Sequence, residues 1–394
     1  MRRIGVAERR RRLAVRHGLA GDGRPGGPAE VGRRLVSLHG TDPATVFLSI
    51  RARTAGQVTP AMIEESIYDR RELVRMLAMR RTVWLVPTES VPVVQASTTN
   101  RVARDQRAVL LKHLRELGGI ADPEPFLADV EKSVLAILAE RQAPMAASEL
   151  SKAEPRLKTT LQMAEGKSYQ TTANITSRVL LVLAAEGHLV RGRPIGTWLS
   201  QQYRWSRTED WLPGVDLHGA AEREAKAELA RQWLRAFAPA PLTDLKWWTA
   251  WTTTQVKQAL ADISAIEIDI DGATGVVLPD DIEETPDPGS WIALLPALDP
   301  TTMGWADRSW FLGPHAKSLF DTNGNAGPTI WLDGRVIGGW AQRKDGEVVT
   351  RLLEDVGSEA KARVEAEGQR LTIWLADTRV IPRFRTPLER DLSS

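Results

Sequence analysis

Residues 171–205, TTANITSRVLLVLAAEGHLVRGRPIGTWLSQQYRW, decide how the rest of the chain is read. From 171 to 186 apolar residues return at helical intervals, and Gly187 stops the run as a C-terminal glycine does. Two strand-like runs follow, HLVRGR and GTWLSQQYRW, joined by a Pro-Ile-Gly turn. A helix leading straight into such a hairpin has the pattern of a recognition helix and its wing.

The same theme extends in both directions. Helical segments at 126–140 and 147–152 complete this unit, and 118–125 reads as the linker before it. Farther upstream, 30–38 is helical, 42–53 is opened by Asp-Pro and 59–79 by Thr-Pro, two cap-and-N1 signals. RTVWLV at 81–86 then predicts a strand, and 90–117 a long helix. Downstream, helices are predicted at 222–237, 242–251 and 252–263, before AIEIDIDG and GVVLP alternate as a hairpin. From Trp291 the chain reads as strands: IALLP, TIWLDGRVIGGWAQ, EVVTRLL and LTIWLA, with a charged helix at 358–367. The expected fold class is therefore α+β, with three tandem winged-helix units followed by a β-rich C-terminal domain. The expected boundaries are 1–120, 121–215, 216–275 and 276–394.

Composition narrows the function. A chain of 394 residues exceeds what one core organises, and 42% apolar with 26% charged residues is a globular balance. The absence of cysteine excludes disulfides, zinc ribbons, iron–sulfur clusters and thiol nucleophiles. Histidines at 17, 39, 113, 188, 218 and 315 scatter without metal-ligand spacing, so neither a metal nor another cofactor is expected. No apolar run approaches the roughly 18 residues of a spanning helix, and no signal-peptide core follows the first residues, which points to a cytoplasmic protein that engages no membrane. The net charge is only +2, but arginine dominates the 52 basic residues and suits phosphates and base edges. The run Arg9 to Arg12 reads either as a phosphate-tracking helix or as a solvated face. No phosphate loop or nucleophile elbow supports a small-molecule enzyme.

Five short segments in order carry a resemblance: LHGTDP at 38–43 leading into FLSIRAR, 70–86 ending in RRTVWLV, TDLKWWTAW at 243–251, LLPALDP at 294–300, and DGRVIGGW at 333–340. Together they resemble the AlkZ/YcaQ type of winged-helix DNA glycosylase. The resemblance implies hydrolysis of the N-glycosidic bond of alkylated purines in damaged duplex DNA, N7-alkylguanine and interstrand cross-links among them, by a monomer without cofactor. That family carries Gln-x-Gln or Gln-x-Asp where this chain has His39-Gly40-Thr41, so neither glutamine is present. It also often has glycine at the position of Arg81 and histidine at that of Trp84. A non-catalytic winged-helix protein, a regulator or lesion binder, is the rival reading.

The resemblance places His39 and Thr41 as the catalytic pair. In an extended loop they point to one side, where each offers a hydrogen bond to a water. An ordinary imidazole pKa near 6.5 would make excision fall below about pH 6. Asp42, the nearest carboxylate, reads either as a charge stabiliser or as a helix cap. Hairpin-tip cations, Arg191 and Arg193 and then Arg343 and Lys344, together with Arg335, are the expected DNA contacts. Trp247, Trp248 and Trp251 lie at helical spacing and read as core, as do Trp84, Trp198 and Trp205.

Overall fold

The computed structural model describes residues 2–54, 57–163 and 171–394. One order of elements recurs three times. The first copy runs from a helix at Pro28–Arg34 to a short strand β1 at Leu38–His39, a helix at Pro43–Arg53 and another at Pro60–Glu64 that continues into a π-turn. It ends in the hairpin of β2 (Leu73–Leu77) and β3 (Val83–Pro87), and the sheet order is β1-β3-β2. The second copy has a helix at Pro123–Arg141, β4 at Met145–Ala146 and a helix at Ala147–Ala153. An inserted ribbon of β5 (Thr160–Met163) and β6 (Thr171–Asn174) precedes the helix Thr176–Ala185. The hairpin of β7 (Leu189–Pro194) and β8 (Tyr203–Arg207) follows, in the order β4-β8-β7.

The third copy consists of helices at Glu222–Phe237, Leu242–Thr249 and Thr253–Asp262 and the hairpin of β9 (Ile266–Ile270) and β10 (Ala273–Val277). Ala240 bridges to Val276 on β10 where the other copies have their first strand. After it come β11 (Ile292–Leu295), β12 (Thr329–Leu332), β13 (Arg335–Gln342) and β14 (Val348–Leu352), an antiparallel sheet in sequence order. Among the described residues two large apolar cores result, with two small clusters beside them. One runs through the first and third copies and the C-terminal region, and the other lies within 110–205.

Several sequence expectations change. Residues 171–174 form β6 and the helix begins only at Thr176, and of the run 196–205 only the part from Tyr203 joins β8, the rest lying in the turn between the strands. Residues 73–77 form β2 and not the end of a helix, because every one of them is buried in pairing with β3. LTIWLA belongs to the helix Gly357–Leu375: Val364, Gly368, Leu371 and Leu375 form its buried stripe, while Ile373 is 78% exposed, so the apolar run is helical and not alternating. The C-terminal region is accordingly a mixture of sheet and helix. Arg9 to Arg12 do not form a solvated stripe, because each is engaged within the protein. Arg9 stacks on Trp310, Arg10 donates to the Trp310 carbonyl, Arg11 pairs with Glu284, and buried Arg12 pairs with Glu8 and Asp281. Carboxylates of the 281–284 segment turn this basic helix into a docking element.

Candidate active site and DNA interface

The loop of interest is carried at the start of the helix Pro43–Arg53, and three side chains at i, i+4 and i+8 fasten that helix to residues 297–301. Thr45 Oγ1 donates to the Ala297 carbonyl at 2.7 Å, Ser49 Oγ to Asp299 Oδ2 at 2.6 Å, and Arg53 forms two bonds to the Asp299 carboxylate at 2.8 and 2.9 Å. Both members of this ion pair are fully buried. Burial alone would raise the Asp299 carboxyl, but the Arg53 charge and its hydrogen bonds hold it below the usual carboxylate range.

Asp42 caps the helix, accepting from the Ala44 amide at 3.0 Å on one oxygen and from the Arg383 amide at 2.9 Å on the other. Both of its oxygens are thus engaged by backbone, and burial pushes its pKa up against those bonds. The pairing of β1 with β3 sets the faces of the loop. His39 lies opposite Trp84, and the Gly40 amide donates to the Val83 carbonyl. Gly40 is required here by close approach, since a Cβ would fall 2.9 Å from Leu85 Cδ1 and 3.1 Å from Arg75 Nη1.

The structure does not bring His39 and Thr41 to one wall. His39 is 4% exposed with its ring edge-on to Trp84 at 4.9 Å, and Trp84 leans on Trp248 at 5.5 Å. Burial, helped by the nearby Arg80 charge, pushes the His39 pKa down to about 3, so the ring is neutral at ordinary pH. Thr41 instead lines a cleft of about 630 Å³ between the first and second copies. The two share one property: His39 Nδ1 and Thr41 Oγ1 are both buried without a hydrogen-bond partner in the protein.

Sequence reasoning did not single out Arg75, Gln201, Tyr203 or Arg383, which also line the cleft. Arg75 Nη1 donates to the Gly40 carbonyl at 2.8 Å, and its guanidinium lies 4.8 Å from the centre of the Tyr203 ring. Its signal was a lone arginine inside the apolar run LVRML. Among the expected DNA contacts, Arg191 is not at a hairpin tip but in mid-β7, paired with Trp205 and lining the cleft. Arg193 is taken up by Asp69 at 2.8 Å, Arg335 by Glu354 at 2.6 Å and Arg343 by Glu347 at 3.0 Å. Exposed ion pairs of this kind are worth at most about 1 kcal/mol, so phosphate can displace them. Arg343 and Lys344 do occupy the β13–β14 turn, and Lys344 is exposed.

The tryptophans expected in the core are there, Trp247 excepted: it is half-buried between the guanidiniums of Arg80 and Arg308, 4.0 and 5.2 Å from its ring centre. Arg80 and Arg81 both adopt the left-handed region, at φ 53° and 58°, which is strained for arginine and natural for glycine. Among the described residues no cluster of His, Asp or Glu is arranged to hold a metal, and no helix is long and apolar enough to cross a membrane.

A family model described as DNA glycosylase AlkZ-like matches residues 33–374, nearly the whole chain. The chain belongs to the AlkZ-like DNA glycosylase family. It is thereby placed among the DNA glycosylases, hydrolases of N-glycosidic bonds in DNA. Among solved structures, the Streptomyces sahachiroi DNA glycosylase AlkZ is similar over 96% of this chain and 99% of its own, with a TM-score of 0.71 at 20% identity. No curated protein sequence matches. In this AlkZ-like chain the helix anchor joins two of the segments that carried the resemblance, FLSIRAR and LLPALDP, through Arg53 and Asp299.

Proposed function

We propose that this protein excises alkylated purines, N7-alkylguanine foremost, from duplex DNA, acting as a monomer whose three repeated units are winged helices. The recurrence of one element order, with the first strand beside the last strand of the hairpin, supports the winged-helix reading. The observation that carries the catalytic reading is the pair of buried, unpartnered polar atoms on His39 and Thr41. An unsatisfied buried polar group costs about 1–3 kcal/mol, and two of them stand at i and i+2 in the loop where the family keeps its polar pair, which makes that loop the place for a polar ligand.

The chemistry asks little of these residues. In an N7-alkylguanine the purine is already cationic, so when the N9–C1′ bond breaks its electron pair neutralises the ring and no strong acid is needed. Water bonds to C1′ of the oxocarbenium-like sugar and its proton passes to solvent. A histidine held down to a pKa of about 3 is a poor base, so His39 acts here as a neutral hydrogen-bonding group, and because its ring lies behind the cleft wall in the free protein it reaches the water only once the loop moves as DNA binds. Thr41 meets the sugar from the cleft side. His39→Ala should slow base release about 10²- to 10⁴-fold with little loss of DNA affinity, Thr41→Ala should cost less, and Gln at both positions should retain excision. Excision by His39→Ala at the parental rate would return His39 to a structural role.

A further inference from the structure

We infer that the cleft beside Gly40 and Thr41 is a phosphodiester-binding pocket, with Arg75 and Arg191 as its charged ligands, and that it does not take the cationic base. Among the described residues its lining holds Arg75, Arg191 and Arg383 and no Asp or Glu. The other expected DNA contacts differ: Arg193, Arg335 and Arg343 all sit on carboxylates.

Arg75 is 5% exposed, its Nε and Nη2 meet no carboxylate, and the Tyr68 hydroxyl is the side chain that engages the guanidinium. Its third nitrogen is bound to the Gly40 carbonyl, which aims the guanidinium along the loop that carries Thr41. Arg191 stands on the facing β7, half-buried, with its guanidinium 5.3 Å from the centre of the Trp205 ring. Burial and the neighbouring Arg75 push its pKa down to about 10, which leaves it charged at neutral pH. The third arginine, Arg383, is exposed; it donates to the neutral Gln201 Oε1 at 2.7 Å, and its charge also acts on Asp42, so the desolvated pair is Arg75 and Arg191.

Holding like charges together in a desolvated wall is unfavourable unless an anion joins them. Thr41, Ser148, Ser177 and Tyr203 add hydroxyls to the same wall, so an anion there finds donors as well as charge. A cationic purine would meet the like charge of Arg75 and Arg191. The volume of about 630 Å³ exceeds the needs of a lone phosphate and suits a stretch of nucleotide backbone. The identity of the anion rests on the glycosylase reading; the site itself rests on the arginines. A phosphodiester seated here brings its sugar to Thr41, which makes Arg75 and Arg191 positioning residues.

The test uses the full chain and a duplex with one tetrahydrofuran abasic analogue, followed by fluorescence anisotropy over a salt series. The phosphodiesters flanking the analogue are replaced one at a time by neutral methylphosphonate. Arg191→Gln should weaken binding about tenfold and lower the slope of log affinity against log salt by about 1, while Arg191→Lys keeps most of the slope. One methylphosphonate position should weaken the parent and not Arg191→Gln. An unchanged slope in a folded Arg191→Gln, or an equal methylphosphonate loss in both proteins, overturns the inference. So does a further arm in which millimolar inorganic phosphate shifts the melting of the parent but not of Arg191→Gln while DNA binding is indifferent to the substitution, since the pocket would then serve a small anion. Loss of base release with these binding results intact would count against the glycosylase reading and leave the pocket standing.

Discussion

Asp299→Asn removes the counter-ion of a fully buried arginine while keeping the shape of the side chain. The native carboxylate accepts from Ser49 Oγ and Arg53 Nη1 on one oxygen and from Arg53 Nη2 and the Thr301 amide on the other. Whichever way the asparagine is turned, its NH₂ group faces two of those donors. A fully buried Arg53 is then left uncompensated, and removing one partner of a buried pair costs about 3–5 kcal/mol. The cost should appear as a lower urea midpoint with an unchanged slope, read from the fluorescence of the 14 tryptophans. The double variant Arg53→Met, Asp299→Leu removes both charges and should lie closer to the parent than Asp299→Asn does. A loss below about 1 kcal/mol in Asp299→Asn, or a double variant less stable than the two single losses combined, would refute the role assigned to this pair.

Stability should fall on mild acidification. His17 and His39 are both held down to about 3 by burial, so their contribution is complete above the unfolded value near 6.5 and is lost as pH falls from there toward 3. From pH 7 to pH 5 that is about 2 kcal/mol each. Asp244, raised to about 6 by burial, works in the opposite sense and returns about 1.4 kcal/mol by pH 5, leaving a net loss of about 2–3 kcal/mol. Asp42 acts in the same sense as Asp244. Urea midpoints at the two pH values check it, and equal midpoints would contradict the burial of the two histidines. Excision in the folded protein should show no acid limb near pH 6, because His39 does not titrate there; a pH–rate profile with an inflection at 6 to 6.5 that vanishes in His39→Gln would contradict this. Arg343→Ala with Lys344→Ala should lower the salt slope of DNA binding by roughly 1 to 2 if that turn touches phosphate, and an unchanged slope places the turn off the DNA.

What the sequence made legible was local. The Asp-Pro start of the helix at 43–53, the Thr252-capped helix at 253–262 and the alternating IEIDI were readable from cap or period. The helices at 222–237 and 242–249 were readable from period alone, the expected Thr243-Asp244 cap lying inside the second of them. LVRML and LTIWL are both short apolar runs, and which becomes strand and which helix depends on the partner: β3 for the first, the sheet beside the helix Gly357–Leu375 for the second. The candidate loop was found through its resemblance, but its electrostatics were hidden. The low pKa of His39 comes from burial beside Trp84 and from Arg80, contacts that exist only once the hairpin has folded. Arg75 meets the Gly40 carbonyl from 35 positions away, and Arg53 meets Asp299 from 246 away, so neither partnership could be read from spacing.

Single-turnover incubation of the protein with duplex DNA carrying one 7-methylguanine, with free base and abasic sites both quantified, separates excision from binding alone. The account predicts free 7-methylguanine above the spontaneous rate, matched one for one by abasic sites and lost in the His39→Ala, Thr41→Ala double variant. Binding of the duplex with no base released, from 7-methylguanine or from bulkier N7 adducts, would contradict it and leave a lesion-binding protein without excision.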